Sequence, residues 1–342
     1  MIYFYLISII LNLIIFFNLK KISQFINIFD IPDKKLKTHR IKTPLLGGTI
    51  LLINIIVFTI YQLIFSREFL FLEEGLFKIR DIVSILFLVF SFYFLGLYDD
   101  KHNLRPLKKL FFSIIFVLIS VTLNKELLIS NFSLSFYESR IFLENFSIIF
   151  TIFCFIILMN SLNFYDGING QSCFYLLIVF LYLLISSKRY EFYTFIIAII
   201  IFLLILNLIH RLFLGDNGIY VFSIILSVAL IYEHNKYKNI VYADEIFLLL
   251  LLPGLDLLRL TITRLFKSKN PFYGDKNHIH HLLLKKFSLL NTNLILIVLG
   301  IFPIIFFNLF KFNFFLVFII FFSIYILLIQ SLNLHDKKYN HR

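Results

Sequence analysis

Charge is scarce and cysteine nearly absent in this 342-residue chain. Only 15% of the residues are charged, against about 25% in soluble domains, while 60% are hydrophobic and the mean hydropathy is +0.91. A soluble globular enzyme is thereby excluded. The two cysteines, Cys154 and Cys173, fall in apolar runs without ligand-type neighbours, which removes a disulfide framework and a thiolate metal site from consideration. Heptads and internal repeats are missing too, so neither a coiled coil nor a solenoid is expected.

What is present is apolar sequence in long runs. One bilayer crossing takes about 20 apolar residues. Eleven runs approach that length, roughly 1 to 19, 44 to 65, 82 to 98, 109 to 123, 146 to 162, 172 to 187, 192 to 209, 218 to 232, 246 to 265, 289 to 308 and 314 to 334. The loops left over are too short to bury a soluble core, which confines any chemistry to loops and helix ends. The leading run has no basic segment before it and no small-residue cleavage site after it, so it reads as a retained span. The expected fold is a single all-α polytopic membrane domain over residues 1–342, with about eleven transmembrane helices.

Charge gives the orientation. With the N-terminus outside and the C-terminus cytoplasmic, 22 of the 32 Lys and Arg residues fall on the inner side, as the positive-inside rule requires. The net charge of +12 suits an anionic leaflet or an anionic substrate, and no nucleic-acid partner is expected. Nine of eleven aspartates and eight of nine histidines lie on that inner side, whereas all nine glutamates lie on the outer one. Asp and His gathered at one end of a bundle is what a metal and phosphate site needs.

Five inner loops carry the candidates. The first, Asp30 to Gly48, has Lys34, Lys35, Lys37, His39, Arg40 and Lys42 beside Pro44, Gly47 and Gly48; it reads as a polyanion cradle or as a plain topogenic loop. The second sets Asp99 next to Asp100 at the end of an apolar run. Adjacent carboxylates repel unless a cation, or Arg105, Lys108 and Lys109 nearby, offsets them. The third, Asn160 to Gln171, has no Lys or Arg but repeats Asn160, Asn163, Asp166 and Asn169 at a spacing of three, a polar helix face able to read a nucleobase or ribose edge. The fourth holds Asp216 between Gly215 and Gly218, a Mg²⁺ ligand or a helix N-cap. The fifth crowds His278, His280 and His281 with Asp275, Lys267, Lys269, Lys276 and Arg264, donors for phosphate oxygens or metal. A membrane di-iron oxygenase would need several such histidine boxes and the chain has one. Asp256, inside the ninth run, shares a helical face with Arg259 and reads as an ion pair.

Together, these loops resemble the polyprenyl-phosphate N-acetylhexosamine-1-phosphate transferases (glycosyltransferase family 4), whose relatives include the phospho-MurNAc-pentapeptide transferases. The resemblance runs in five ordered blocks over residues 30–281. Asp30, Pro32, His39, Pro44, Gly47 and Gly48 match the opening block, and Asp99, Asp100 and Arg105 the second. Asn160, Asn163, Asp166 and Gly167 match the third, and Phe213, Gly215, Asp216 and Gly218 the fourth. Pro271, Phe272, Asp275, His278, His280 and His281 match the last. His39 and the His-x-His-His form point to the N-acetylglucosamine branch rather than the peptidoglycan one. Asn169 stands where many members have a second aspartate, leaving it a hydrogen-bonding role, and Gly274 where proline is frequent. Asn207 lies one residue too near Asp216 to match an upstream uridine-contacting asparagine well.

The resemblance implies transfer of N-acetylhexosamine 1-phosphate from a UDP-N-acetylhexosamine to undecaprenyl phosphate with release of UMP, in the cytoplasmic membrane. Mg²⁺ is the expected cofactor, with Mn²⁺ as an alternative, and a homodimer is compatible with the reading. Asp216 is expected as principal metal ligand, with Asp99 and Asp100 in the metal and lipid-phosphate shell. Asn160, Asn163, Asp166 and Asn169 are assigned to the uridine or sugar side. His39, Arg105, Phe213, Arg264, His278, His280 and His281 complete the substrate contacts. Because a phosphomonoester's second pKa is about 6, a general base would find little to remove at pH 7, so Asp99 is expected to orient or ligate. A transporter or flippase would need charges along a mid-membrane path and repeated halves. A non-catalytic scaffold for glycan assembly would tolerate loss of the aspartates.

Overall fold

The structure is a computed structural model that describes residues 2–30, 42–66, 78–187, 190–236, 241–268, 277–311 and 313–339. His39, Pro271, Phe272 and Asp275 of the sequence reading lie outside the described residues. In chain order the helices are α1 (Ile2–Ile26), α2 (Gly47–Tyr61), α3 (Ile79–His102), α4 (Pro106–Leu123), α5 (Ser147–Tyr165), α6 (Gln171–Ser186), α7 (Tyr190–Leu208), α8 (Gly215–Lys236), α9 (Ala243–Leu249), α10 (Leu251–Phe266), α11 (Ile279–Leu284), α12 (Leu289–Asn308) and α13 (Phe314–Tyr339). Two small antiparallel ribbons accompany them, β1 (Phe29–Asp30) with β2 (Thr43–Pro44), and β3 (Asn131–Leu134) with β4 (Tyr137–Phe142).

Helices dominate because hydrocarbon offers backbone groups no partners outside the chain. Among the described residues nine helices are long and apolar enough to cross a bilayer, and ten spans result if α9 and α10 count as one. Two of the eleven expected runs therefore take another form. Helix α6 has 16 residues, about 24 Å at 1.5 Å per residue, short of the roughly 30 Å hydrocarbon core. The run at 246–265 is broken, its two helices meeting at 69°. Pro253 explains the break: it has no N–H to give the carbonyl of Leu249, and the Tyr175 hydroxyl donates to that carbonyl instead at 2.8 Å.

Helix α8 is the hub, buried along 89% of its span, with α2, α3 and α5 packed around it. It can be enclosed because it alternates bulky Ile224, Leu226 and Leu230 with small Ser223, Ser227 and Ala229. Outer helices show apolar side chains to the surroundings, as α1 does with Leu6, Ile10 and Phe17. An amide pair fastens α1 to α2, Asn12 and Asn54 exchanging side-chain hydrogen bonds of 3.0 Å in the manner of polar contacts between membrane helices.

Candidate active site

The N-terminus of α8 organises the site. Its orphan N–H groups need an acceptor, and Asp100 at the end of α3 supplies it: Oδ1 accepts from the Asp216 N–H at 2.9 Å and Oδ2 from the Asn217 N–H at 3.0 Å. The Asn217 side-chain amide also donates to Asp100. The same amide donates to the Leu45 carbonyl at 3.1 Å, while its Oδ1 accepts from the Gly48 N–H at 2.7 Å. Asn217 thus ties the first, second and fourth loops together. Phe213 joins through its backbone, its N–H donating to the Pro44 carbonyl at 2.9 Å.

Asp99 is 1% exposed, and three donors meet its charge: the Leu104 N–H at 2.9 Å, the Tyr220 hydroxyl at 2.8 Å and the Lys109 ammonium. Lys109 also stands 3.9 Å from Asp216, so one cation serves two carboxylates. Asp99 and Asp100 both lie near enough to Asp216 to act on its charge. Arg105, in the same loop, is exposed at the N-cap of α4.

The third loop enters from α5. Asn160 is half-buried and donates back to the Ile156 carbonyl at 2.8 Å, and Asn163 is half-buried one turn on. Burial pushes the Asp166 carboxyl up to about 6, with Ser172 opposing the rise and the charge of Asp100 adding to it. Asn169 contacts His210 at 2.7 Å, its carbonyl accepting from Asn293 at 2.9 Å. Asn207 is buried; it accepts from the Gly170 N–H at 2.6 Å and donates to the Leu212 carbonyl at 3.2 Å. It therefore staples the third loop to the fourth.

The histidine block closes over this floor. His278 and His280 stack at 5.4 Å, 10° from parallel, and His281 meets His280 at 4.3 Å. Phe164 of the third loop lies 5.6 Å from the His278 ring and 5.7 Å beneath the Arg264 guanidinium. A Cβ on Gly167 would fall 1.8 Å from His280 Nε2, so the ring can sit there because that residue is glycine. Gln171 approaches the other nitrogen at 3.3 Å. Burial and the neighbouring imidazoles push His280 well below the ordinary histidine range, so its ring is neutral at pH 7.

The structure thus brings together Asp99, Asp100, Asp166 and Asp216 and joins the third loop to His278, His280, His281 and Arg264. Tyr220 and Asn217 are further participants, and sequence offered a faint signal for each: Tyr220 follows Asp216 by about one helical turn, and Asn217 sits inside Gly-Asp-Asn-Gly. Among the described residues no group of three or more His, Cys, Asp or Glu side chains forms a metal cage. Asp99, Asp100 and Asp216 are hard oxygen donors of the kind Mg²⁺ takes, one or two carboxylates with water and substrate phosphates completing its shell.

An apolar groove of about 500 Å³ lies between α5, α8, α9 and α10, lined by Phe153, Leu158, Ile231, Phe247, Leu251 and Leu258 among others; on α8 it runs from Ser227 to His234, toward the end away from Asp216. Helix α10 divides the two regions, giving Leu255 and Leu258 to the groove and Asp256 to the histidine block.

Residues 82–234 match glycosyl transferase family 4. That stretch, just under half of the chain, runs from α3 into α8 and contains both paired aspartates, the asparagine loop and Asp216. The likeness is to the polyprenyl-phosphate N-acetylhexosamine-1-phosphate transferases, a family whose members are typically Mg²⁺-dependent. No curated protein matches the chain. The family 4 stretch ends before α10 and the histidine block, which the fold nonetheless sets against the matched residues Phe164 and Gly167.

Asp166 offers a test by pH. A carboxyl that holds its proton up to about 6 would, were it the charged contact for a nucleotide sugar that the sequence reading expects, give a kcat/KM for that sugar that rises as pH passes through 6. Asp166→Asn should remove that limb, leaving a lower, flat profile from pH 5 to 8; an unchanged limb would assign it to another group. Stability runs the other way. The folded protein binds this proton more tightly than the unfolded chain, so Asp166 contributes stability that is lost as pH rises from about 4 to about 6.

Proposed function

We propose that the chain transfers N-acetylhexosamine 1-phosphate from a UDP-N-acetylhexosamine, N-acetylglucosamine being the first choice, to undecaprenyl phosphate at the cytoplasmic face of the inner membrane. UMP leaves and a lipid diphosphate sugar forms, the opening step of an envelope polysaccharide. The observation that carries this reading is the convergence of Asp99 and Asp216 on Lys109, with Asp100 holding the turn of α8 that carries Asp216, inside the family 4 stretch. An apolar groove that reaches Leu255 and Leu258, which flank Asp256 on α10, would suit the hydrocarbon tail of a prenyl acceptor.

The reaction sets an anionic phosphate against an anionic diphosphate, so neutralising charge is the main task. Mg²⁺ would supply Lewis-acid stabilisation of the diphosphate, and Asp216, the least engaged of the three carboxylates, would hold it. Asp99 keeps Lys109 in reach of Asp216, and Asp100 fixes the turn that carries it. Three of the roughly four lone-pair sites on Asp100 are taken up in that cap. Asn163 and Asp166 would receive the sugar or uridine, and the histidines with Arg264 the phosphates.

Membranes holding the protein, given radiolabelled UDP-N-acetylglucosamine and undecaprenyl phosphate, are expected to release UMP with Mg²⁺ and to stop when the metal is chelated. Failure with every UDP-N-acetylhexosamine would overturn the assignment and favour a flippase or transporter.

A further inference from the structure

Asp256 sits inside α10, 2% exposed, where a lone carboxylate is expensive. Its solution is a network that reaches three helices. Oδ1 accepts from the Arg259 guanidinium at 2.7 Å and from the Tyr325 hydroxyl of α13 at 2.9 Å; Oδ2 meets His278 Nδ1 at 3.0 Å. The Ile279 N–H, at the start of α11, points at the same carboxylate from 3.3 and 3.4 Å. Arg259 is fixed in turn, donating through Nε to Tyr325 at 3.0 Å and to the Asn277 carbonyl at 2.7 Å.

An ion pair with Arg259 alone would satisfy Asp256. The additional contact to His278 does something an internal pair does not: it determines which ring nitrogen carries the proton. A carboxylate on Nδ1 holds the proton there and sets the ring plane, which leaves Nε2 as the polar atom available to a ligand. The ring so held lies against Phe164 of the asparagine loop and the stacked His280, within the wall assigned to the substrate phosphates.

We propose that Asp256 is a positioning residue, which through its carboxylate, itself braced by Arg259 and Tyr325, fixes the tautomer and orientation of His278 toward the diphosphate. The inference rests on the phosphoglycosyl-transfer reading for its substrate, while the Asp256–His278 contact stands apart from it. Outer residues of this kind cost about 10–100-fold when removed, and they act only through the group they orient.

That last property separates positioning from scaffolding. Asp256→Asn in the purified full chain is expected to lower kcat about 10–100-fold with a smaller change in the KM for the nucleotide sugar. In a His278→Ala background the same substitution should cost nothing more, because the ring it serves is gone. Additive losses would overturn the proposal. Tyr325→Phe deletes one hydroxyl without changing the packing volume much; it should cost at least about 2–12-fold, the equivalent of one of the two hydrogen bonds that hydroxyl makes, and also fall silent in the His278→Ala background. It carries the cycle if Asp256→Asn does not fold.

A measurement without turnover completes the test. In ¹⁵N-histidine spectra of the detergent-solubilised protein, the signal lost in His278→Ala should report an Nδ1-protonated ring in the wild type and change in whichever folded variant is used. An unchanged tautomer would refute the contact's role. Absence of UMP release from the wild type would refute the reaction instead, with the tautomer still deciding the network.

Discussion

Asp216→Asn is expected to yield a folded protein whose UMP release falls by at least about 10²–10³-fold, the scale of losing one preorganised electrostatic group at a reacting centre. Folding should survive because Asp216 enters the architecture through its backbone. Its N–H donates to Asp100, a bond that asparagine keeps. The side chain is engaged less, lying against the Asp99 carboxyl and 3.9 Å from Lys109, the latter beyond hydrogen-bonding reach. Asparagine preserves size and loses the charge that a Mg²⁺–diphosphate pair would need. The check is UMP release at saturating Mg²⁺, alongside a melting curve in detergent. Activity above a tenth of wild type would mean that the metal is held elsewhere, Asp99 being the next candidate because it already faces Lys109. A melting point lowered by many degrees would mean that the side chain is structural.

Much of this arrangement was legible in the residues themselves. Apolar run length gave the helices, and the Asp and His asymmetry gave the end of the bundle at which the loops converge. The division of labour among the aspartates was not legible. Asp99 and Asp100 are chemically identical neighbours, and one residue of helical rotation sends the first to Tyr220 and Lys109 and the second to the start of α8. Asp256 read as half of a local pair with Arg259, and that pair is present at 2.7 Å. Its contact with His278 was hidden because the two residues are 22 apart in the chain, beyond any helical spacing. Tyr325 lies 69 residues away, inside an otherwise featureless apolar run, so no local pattern marks it. Pro253 did announce the broken span; reading the run by hydropathy alone passed over it.

The second large effect belongs to Gly96, which no motif flagged. It lies on α3 one turn before Asp99 and Asp100, where α3 crosses the start of α8. A Cβ there would come within 2.5 Å of the Asn217 Cα, 2.6 Å of its N and 2.6 Å of the Asp216 carbonyl oxygen. All three are backbone atoms, so no side chain can turn aside and the helices themselves must part. Overpacking costs about 1–3 kcal/mol in cores that adjust, and the upper end applies when backbone must move. Gly96→Ala is therefore expected to lower the melting temperature in detergent and, in whatever folds, to pull Asp99 and Asp100 away from Asp216 and cut UMP release with it. Gly254→Ala is the matched control: that Cβ meets nothing within 4 Å, and alanine in a helix interior gains about 0.5–1 kcal/mol over glycine. Its melting temperature should stay level or rise. Equal behaviour of the two variants would show that α3 and α8 are not in the close contact on which the geometry of the three carboxylates depends.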